Sequence, residues 1–265
     1  MPPADPPRDR YGRPLIVPPN GGTPVAYTRA STVGKALSDD AALAGWRQRM
    51  TALGLAARPD LLARVATTDV EDRATLDRLT SDAVEAAAAS AAANMGPAVH
   101  AATELLDTGT PLPAHLPHDV RASVDAYAAT LAAVGVVAES VERFTVCDAV
   151  MAAGTYDRLY RLPDGRLVVG DVKTSRHGVR YGAPGWMCQL AVYANGVHYD
   201  VDTAQRTPMP ADLDRTVGLI VVVPVGGPTA SLFTVDLVAG WRAVQVARWV
   251  REYRKSGAVP YAGVA

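Results

Sequence analysis

The chain has 265 residues, of which 49% are apolar, and a formal net charge of −1. That length supports one sizeable α/β domain with an appendage, or two small domains. The near-neutral balance excludes a chain that is polycationic throughout, so a nucleic-acid surface must come from local clustering of arginines.

Residues 1–24, "MPPADPPRDRYGRPLIVPPNGG" and its continuation, are rich in proline and glycine and predict an extended or disordered, flexible tail. They lack the basic, apolar and small-residue order of a signal peptide, which favours a cytoplasmic protein. From residue 25 to 95 the apolar spacing is mostly helical, interrupted at "ARPDLLARV" and ending in the alanine-rich "SDAVEAAAASAAANM". "MGPAVHAATELLDTG" starts another helix, with Gly96 as N-cap, Pro97 at its first position and Gly109 at its stop. His100 and Glu104 are four residues apart, on one face. A further amphipathic run, "PHDVRASVDAYAATLAAVG", leads to three strand-like runs over residues 136–175, the second and third joined by the hairpin signal "PDG". "PGWMCQLAVYANGVHY" has helical periodicity. "RTVGLIVVVPV" and "SLFTVDL" read as strands, and a closing helix runs from about Ala239 to Arg254. The longest apolar run, from Val217, is too short for a membrane helix.

Two of the predicted strands each carry an aspartate, Asp157 and Asp171, and Lys173 follows two residues later on the same side of its strand. Lysine is otherwise found only at Lys35 and Lys255. An unpaired carboxylate on a core-facing strand costs several kcal/mol unless it is paired or binds a cation. Asp157, Asp171, a backbone carbonyl such as that of Val172 and the imidazole of His100 form a hard, mostly oxygen set suited to Mg²⁺ or Mn²⁺. An ammonium beside it stabilises charge developing on a phosphoryl group or orients the attacking water. The bland alternative is a turn aspartate plus an Asp171–Lys173 surface pair worth at most ~1 kcal/mol.

"GPAVHAATE", "AGTYD", "GDVKTS" and "QLAVYA", in that order over residues 94–195, resemble the RecB-like branch of the PD-(D/E)XK nucleases, which includes phage exonucleases and CRISPR-associated adaptation nucleases. The resemblance implies an α/β fold with a PD-(D/E)XK, restriction-endonuclease-like core over residues 96–265, a central mixed sheet flanked by helices. Residues 25–95 would then be a helical region forming one wall of a cleft. It implies metal binding by His100, Asp157 and Asp171, assistance to attack by Lys173, and positioning of the active site or DNA backbone by Gln189 and Tyr193. The activity implied is a Mg²⁺- or Mn²⁺-dependent deoxyribonuclease, an exonuclease in phage or bacterial recombination and repair. DNA would be its partner, together with a single-strand annealing protein, in the cytoplasm of the bacterial host.

Several members of that branch hold an iron–sulfur cluster on four cysteines. This chain has two, Cys147 and Cys188, which excludes an intramolecular cluster of that kind and forms no zinc pattern. They read as buried thiols. The rival functions are a structure-selective endonuclease on the same scaffold and a non-catalytic nucleic-acid-binding module. Glu104 and Glu142 stand outside the main set, Glu142 as a strand glutamate facing either the cleft or solvent. The arginines of "GWRQRMTALGLAARPD" and "SRHGVRYG" read by default as solvated helix and loop faces and also suit phosphate contacts, and Tyr181 and Trp186 suit either base stacking or core packing.

Overall fold

In the computed structural model of the chain, the residues described are 5–38, 41–88, 95–174, 182–224 and 226–257. They form two compact units, one of Met1–Leu37 with Gly96–Ala265 and the other of Ser38–Met95. The helical region expected over 25–95 is therefore divided, and its first residues belong with the larger unit.

That unit opens with the strands β1 (Leu15–Ile16), β2 (Val25–Ala26) and β3 (Thr28–Arg29), followed by the short helix α1 (Ala30–Val33) and a 3₁₀ turn over Gly34–Leu37. The proline-rich opening is thus not a free tail. β1 pairs with β2, and Ile16 is fully buried among Tyr27, Phe144, Val146 and Tyr199. The Val17 N–H donates to the Tyr199 hydroxyl at 3.2 Å, and Arg206 donates to the Val17 carbonyl at 2.8 Å. Proline prevents a long ladder but not docking, because one large apolar side chain and two backbone bonds anchor the segment.

The smaller unit consists of α2 (Ala41–Ala57), α3 (Pro59–Thr67) and α4 (Arg73–Ala88), packed around Leu61, Leu79 and Ala83. Pro59 at the first position of α3 explains the interruption in the helical spacing. Gly54 permits the close approach of α2 to α4, since a Cβ there would lie 1.8 Å from the Ala83 carbonyl oxygen. The end of the alanine-rich run falls outside the described residues.

The larger unit resumes with α5 (Met95–Asp107) and α6 (His118–Val134). Gly96 lies inside α5 rather than at its cap, and its lack of a side chain accommodates Thr174, whose Oγ1 would sit 2.7 Å from a Cβ. Then follow β4 (Val137–Cys147), β5 (Ala152–Arg161), β6 (Leu167–Thr174), α7 (Ala183–Ala194), β7 (Val197–Tyr199), β8 (Arg206–Pro208), β9 (Leu213–Val223), β10 (Ser231–Asp236) and α8 (Leu237–Lys255). The helix expected to continue to Tyr199 stops at Ala194, and Val197–Tyr199 pairs with β4 and β8 instead.

The result is an eight-stranded mixed sheet in the order β10-β9-β6-β5-β4-β7-β8, with β3 added parallel to the start of β5. β9 runs parallel to β6, so its connection must cross over the sheet, and α7 lies within that connection. α7 and α8 bury Leu190, Ala191, Leu237 and Val244 against Leu159, Val169 and Ile220. On the other face Tyr160, opposite Val168 in register, meets Tyr127 of α6 through a 2.9 Å bond between hydroxyls. Among the described residues no helix is long and apolar enough to cross a membrane.

Candidate functional site

The hairpin β5–β6 sets the site. Its turn brings the Leu162 N–H to the Arg166 carbonyl at 2.9 Å, with Gly165 at φ +87°, where glycine alone is unstrained. Pairing runs from Arg161 opposite Leu167 to Arg158 opposite Gly170, and one further step in that register sets Asp157 against Asp171. On the other side of β5, Val141 faces Arg158 and Arg143 faces Tyr156, which sets Glu142 against Asp157. Glu142, Asp157 and Asp171 therefore form one row across three adjacent strands.

Past Arg158 the ladder between β5 and β6 gives way to a side-chain bond. The Val172 N–H donates to Asp157 Oδ2 at 2.8 Å. Val172, expected to lend its carbonyl, is seen to lend this N–H. Glu142 has φ +46°, a conformation costing a non-glycine residue about 1–3 kcal/mol. Such strain is retained where the surroundings hold it, here at the residue whose carboxylate turns toward His100.

The imidazole of His100, carried by α5, bridges two of the acids. Its Nε2 lies 2.9 Å from Glu142 Oε1, and its Nδ1 lies 3.8 Å from Asp157 Oδ2. Ligand atoms of His100, Glu104 and Glu142 lie within 4.8 Å of one another. Asp171 stands outside that trio and is only 1% exposed. Gln189 of α7 donates to Asp171 Oδ1 at 3.0 Å and to the Tyr193 hydroxyl at 3.4 Å. The Lys173 ammonium lies 2.5 Å from Asp171 Oδ2. Gly154 leaves room for Tyr193, whose hydroxyl would lie 3.0 Å from a Cβ there.

Electrostatics follow from burying like charges together. Burial pushes the Asp157 carboxyl up to about 7, with the charge of Asp171 adding to the effect and His100 and Lys173 opposing it. Asp171 is likewise raised by burial, against the pull of Lys173. The hydrogen bond to Glu142 is the largest influence on His100 and raises its pKa, with burial opposing and Asp157 assisting. Burial raises the Tyr193 phenol, so it stays a neutral hydroxyl.

Sequence reasoning missed the support beneath the row. Arg158 is fully buried, with Nε 2.5 Å from Asp107 Oδ2, Nη1 2.7 Å from the Asp157 carbonyl oxygen and Nη1 3.6 Å from Glu142 Oε1. Asp107 also accepts the Tyr127 hydroxyl at 2.7 Å. Nothing in the sequence marks this pair, whose members are 51 residues apart. Glu142 did have a signal. The turn centred on Asp164 fixes β5 against β6, and the short connection through Asp148–Val150 fixes β4 against β5, which brings Glu142 opposite Asp157. Of the aromatic candidates, Trp186 packs against the core, while Tyr181 and the "SRHGVRY" arginines fall outside the described residues.

No protein-family model matches the chain, and no curated protein matches it. Among solved structures the chain is similar to the crystal structure of SSO0001, at 14% identity, over 49% of this chain and 57% of that one, with a TM-score of 0.26. The match spans little more than half of that chain, and a TM-score so low supports no inference about fold or function.

Proposed function

We propose that the chain is a divalent-metal-dependent nuclease with a PD-(D/E)XK core, hydrolysing phosphodiester bonds of DNA. The observation that carries this reading is the row Glu142, Asp157 and Asp171 on adjacent strands, closed at one end by His100 and at the other by Lys173. Buried carboxylates set side by side are stable only when protonated, paired or bound to a cation. One ammonium and one imidazole do not compensate the set fully, as the elevated Asp157 indicates.

The donors fit Mg²⁺ or Mn²⁺, being carboxylate oxygens with a single imidazole and no thiolate. His100, Asp157, Asp171 and Glu142 would hold the ion, with Glu104 within reach of the imidazole. When bound, a hard divalent cation supplies Lewis acidity toward the phosphodiester.

The remaining parts are the chain's own. Lys173, partly exposed beside a buried acid, is placed to orient a water or to stabilise charge developing on phosphate oxygens. Gln189 fixes the Asp171 carboxylate, and Tyr193 supports Gln189 from below Gly154. Water adds to phosphorus, the P–O ester bond breaks, and the proton released by water is matched by one taken up at the leaving oxygen. The preference for DNA ends, and service to an annealing protein, rest on the sequence resemblance.

The test is digestion of linear and covalently closed circular duplexes with Mg²⁺, Mn²⁺ or EDTA. Metal-dependent loss of the linear duplex, abolished in Asp171→Ala and Lys173→Ala while the fold persists, is the expected result. Survival of the circle marks an exonuclease, and its cleavage an endonuclease. Degradation of neither substrate, or wild-type rates in both variants, refutes the assignment.

A further inference from the structure

A second charged site lies on different residues. A cavity of about 80 Å³ is bounded by the N-terminal segment, the turn after β4 and the later turns of α8. Its walls carry Arg13, Arg248, Arg251 and Lys255 against a single carboxylate, Glu252, over an apolar floor that includes Val33 and Val244. None of these residues belongs to the acidic row.

The cations are held in place. Arg251 donates to Thr28 Oγ1 at 3.2 Å and to the Thr32 carbonyl, which pins its guanidinium while its buried Nε has no partner among the described residues. Arg248 is fixed by the Ala149 carbonyl and by Glu252, the latter at 2.8 Å. Arg13 leans on Asp9 at 2.6 Å, and Lys255 makes no salt bridge among the described residues. Burial depresses the Arg251 guanidinium and Arg254 adds to the effect, though arginine stays charged throughout the neutral range. With Arg13 and Arg248 countered by Asp9 and Glu252, the cations of the cavity left without a carboxylate among the described residues are Arg251 and Lys255, which an anion would join.

The cavity, at about 80 Å³, is several times the roughly 10–15 Å³ that holds one water and has room for one tetrahedral oxyanion. We propose that this cavity binds a phosphoryl oxyanion through Arg251 and Lys255. Free phosphate and a backbone phosphate of a nucleic-acid strand share that chemistry. The proposal stands apart from the nuclease reading.

The experiment titrates the full chain with inorganic phosphate by calorimetry in EDTA, which keeps the acidic site silent. Saturable binding with Kd below about 1 mM is expected, weakened about tenfold in Arg251→Gln and in Lys255→Gln. Lys255 is exposed near the end of α8, so its variant tests the site even if Arg251→Gln unfolds. A second arm adds a short single-stranded DNA to the phosphate-loaded protein. Displacement identifies a strand phosphate as the ligand, and retention identifies free phosphate; both uphold the site. Absence of saturable binding up to about 10 mM, or equal affinity in wild type and both variants, overturns it.

Discussion

The unusual economy of this protein is in how it buries charge. Asp171 is almost wholly enclosed and Arg158 entirely so, yet they are not each other's partners. Arg158 instead joins Asp107 and holds the Asp157 carbonyl, so the cation stiffens the strand that carries the acid without neutralising its carboxylate. Replacing Asp107 by Asn leaves a buried guanidinium without its counter-ion, and a loss of about 3 kcal/mol in urea unfolding is expected. The proposed ligands His100, Asp157 and Asp171 would remain in place, so under the proposed function the folded fraction should bind Mn²⁺ as the wild type does. Asp157, Asp171 and Lys173 were legible from sequence because their spacing puts costly groups on strands. Arg158 was not, because an arginine after an aspartate looks solvated until α5 and α6 supply Asp107 and Tyr127.

Among the elements, those with strong periodicity emerged from the sequence close to their observed bounds. α6 ends at Gly135, whose φ of +75° suits a C-terminal glycine, and α8 begins behind Asp236, which accepts the N–H groups of Val238 and Ala239. The short strands were invisible, since two or three residues carry no period and owe their form to a neighbour. β7 is the clearest case, being read as helix until β4 pairs with it. It places His198 in the core, where Nε2 meets the Tyr156 hydroxyl at 3.1 Å. Burial, assisted by Arg143, lowers that imidazole to about 4. Its folded pKa lies below the unfolded value of about 6.5, so the unfolded chain binds the proton first as pH falls. Stability is then constant in this respect above pH 6.5 and declines toward pH 4, by up to about 3 kcal/mol. The urea midpoint of the wild type relative to that of His198→Asn should therefore fall across that window, the opposite contribution of the raised Asp157 carboxyl being common to both proteins.

At the scale of the molecule, length and composition allowed one α/β domain with an appendage or two small domains, and the described residues fall into two compact units, the larger an α/β one with a mixed sheet. Composition misjudged the opening. Residues that looked like a tail insert Ile16 into the sheet's flank and contribute Arg13 to the basic cavity, so they are part of the fold. Removal of residues 1–24 is expected to cost about 2–5 kcal/mol, the range for deleting one buried aliphatic side chain, seen as a lower melting temperature. The account as a whole rests on a cation joining the strands at Glu142, Asp157 and Asp171. The most direct measurement is anomalous diffraction from crystals of the protein soaked in Mn²⁺. The account predicts a peak in contact with Asp157 and Asp171. Featureless density there at saturating Mn²⁺, with Lys173 still seated on Asp171, would contradict it.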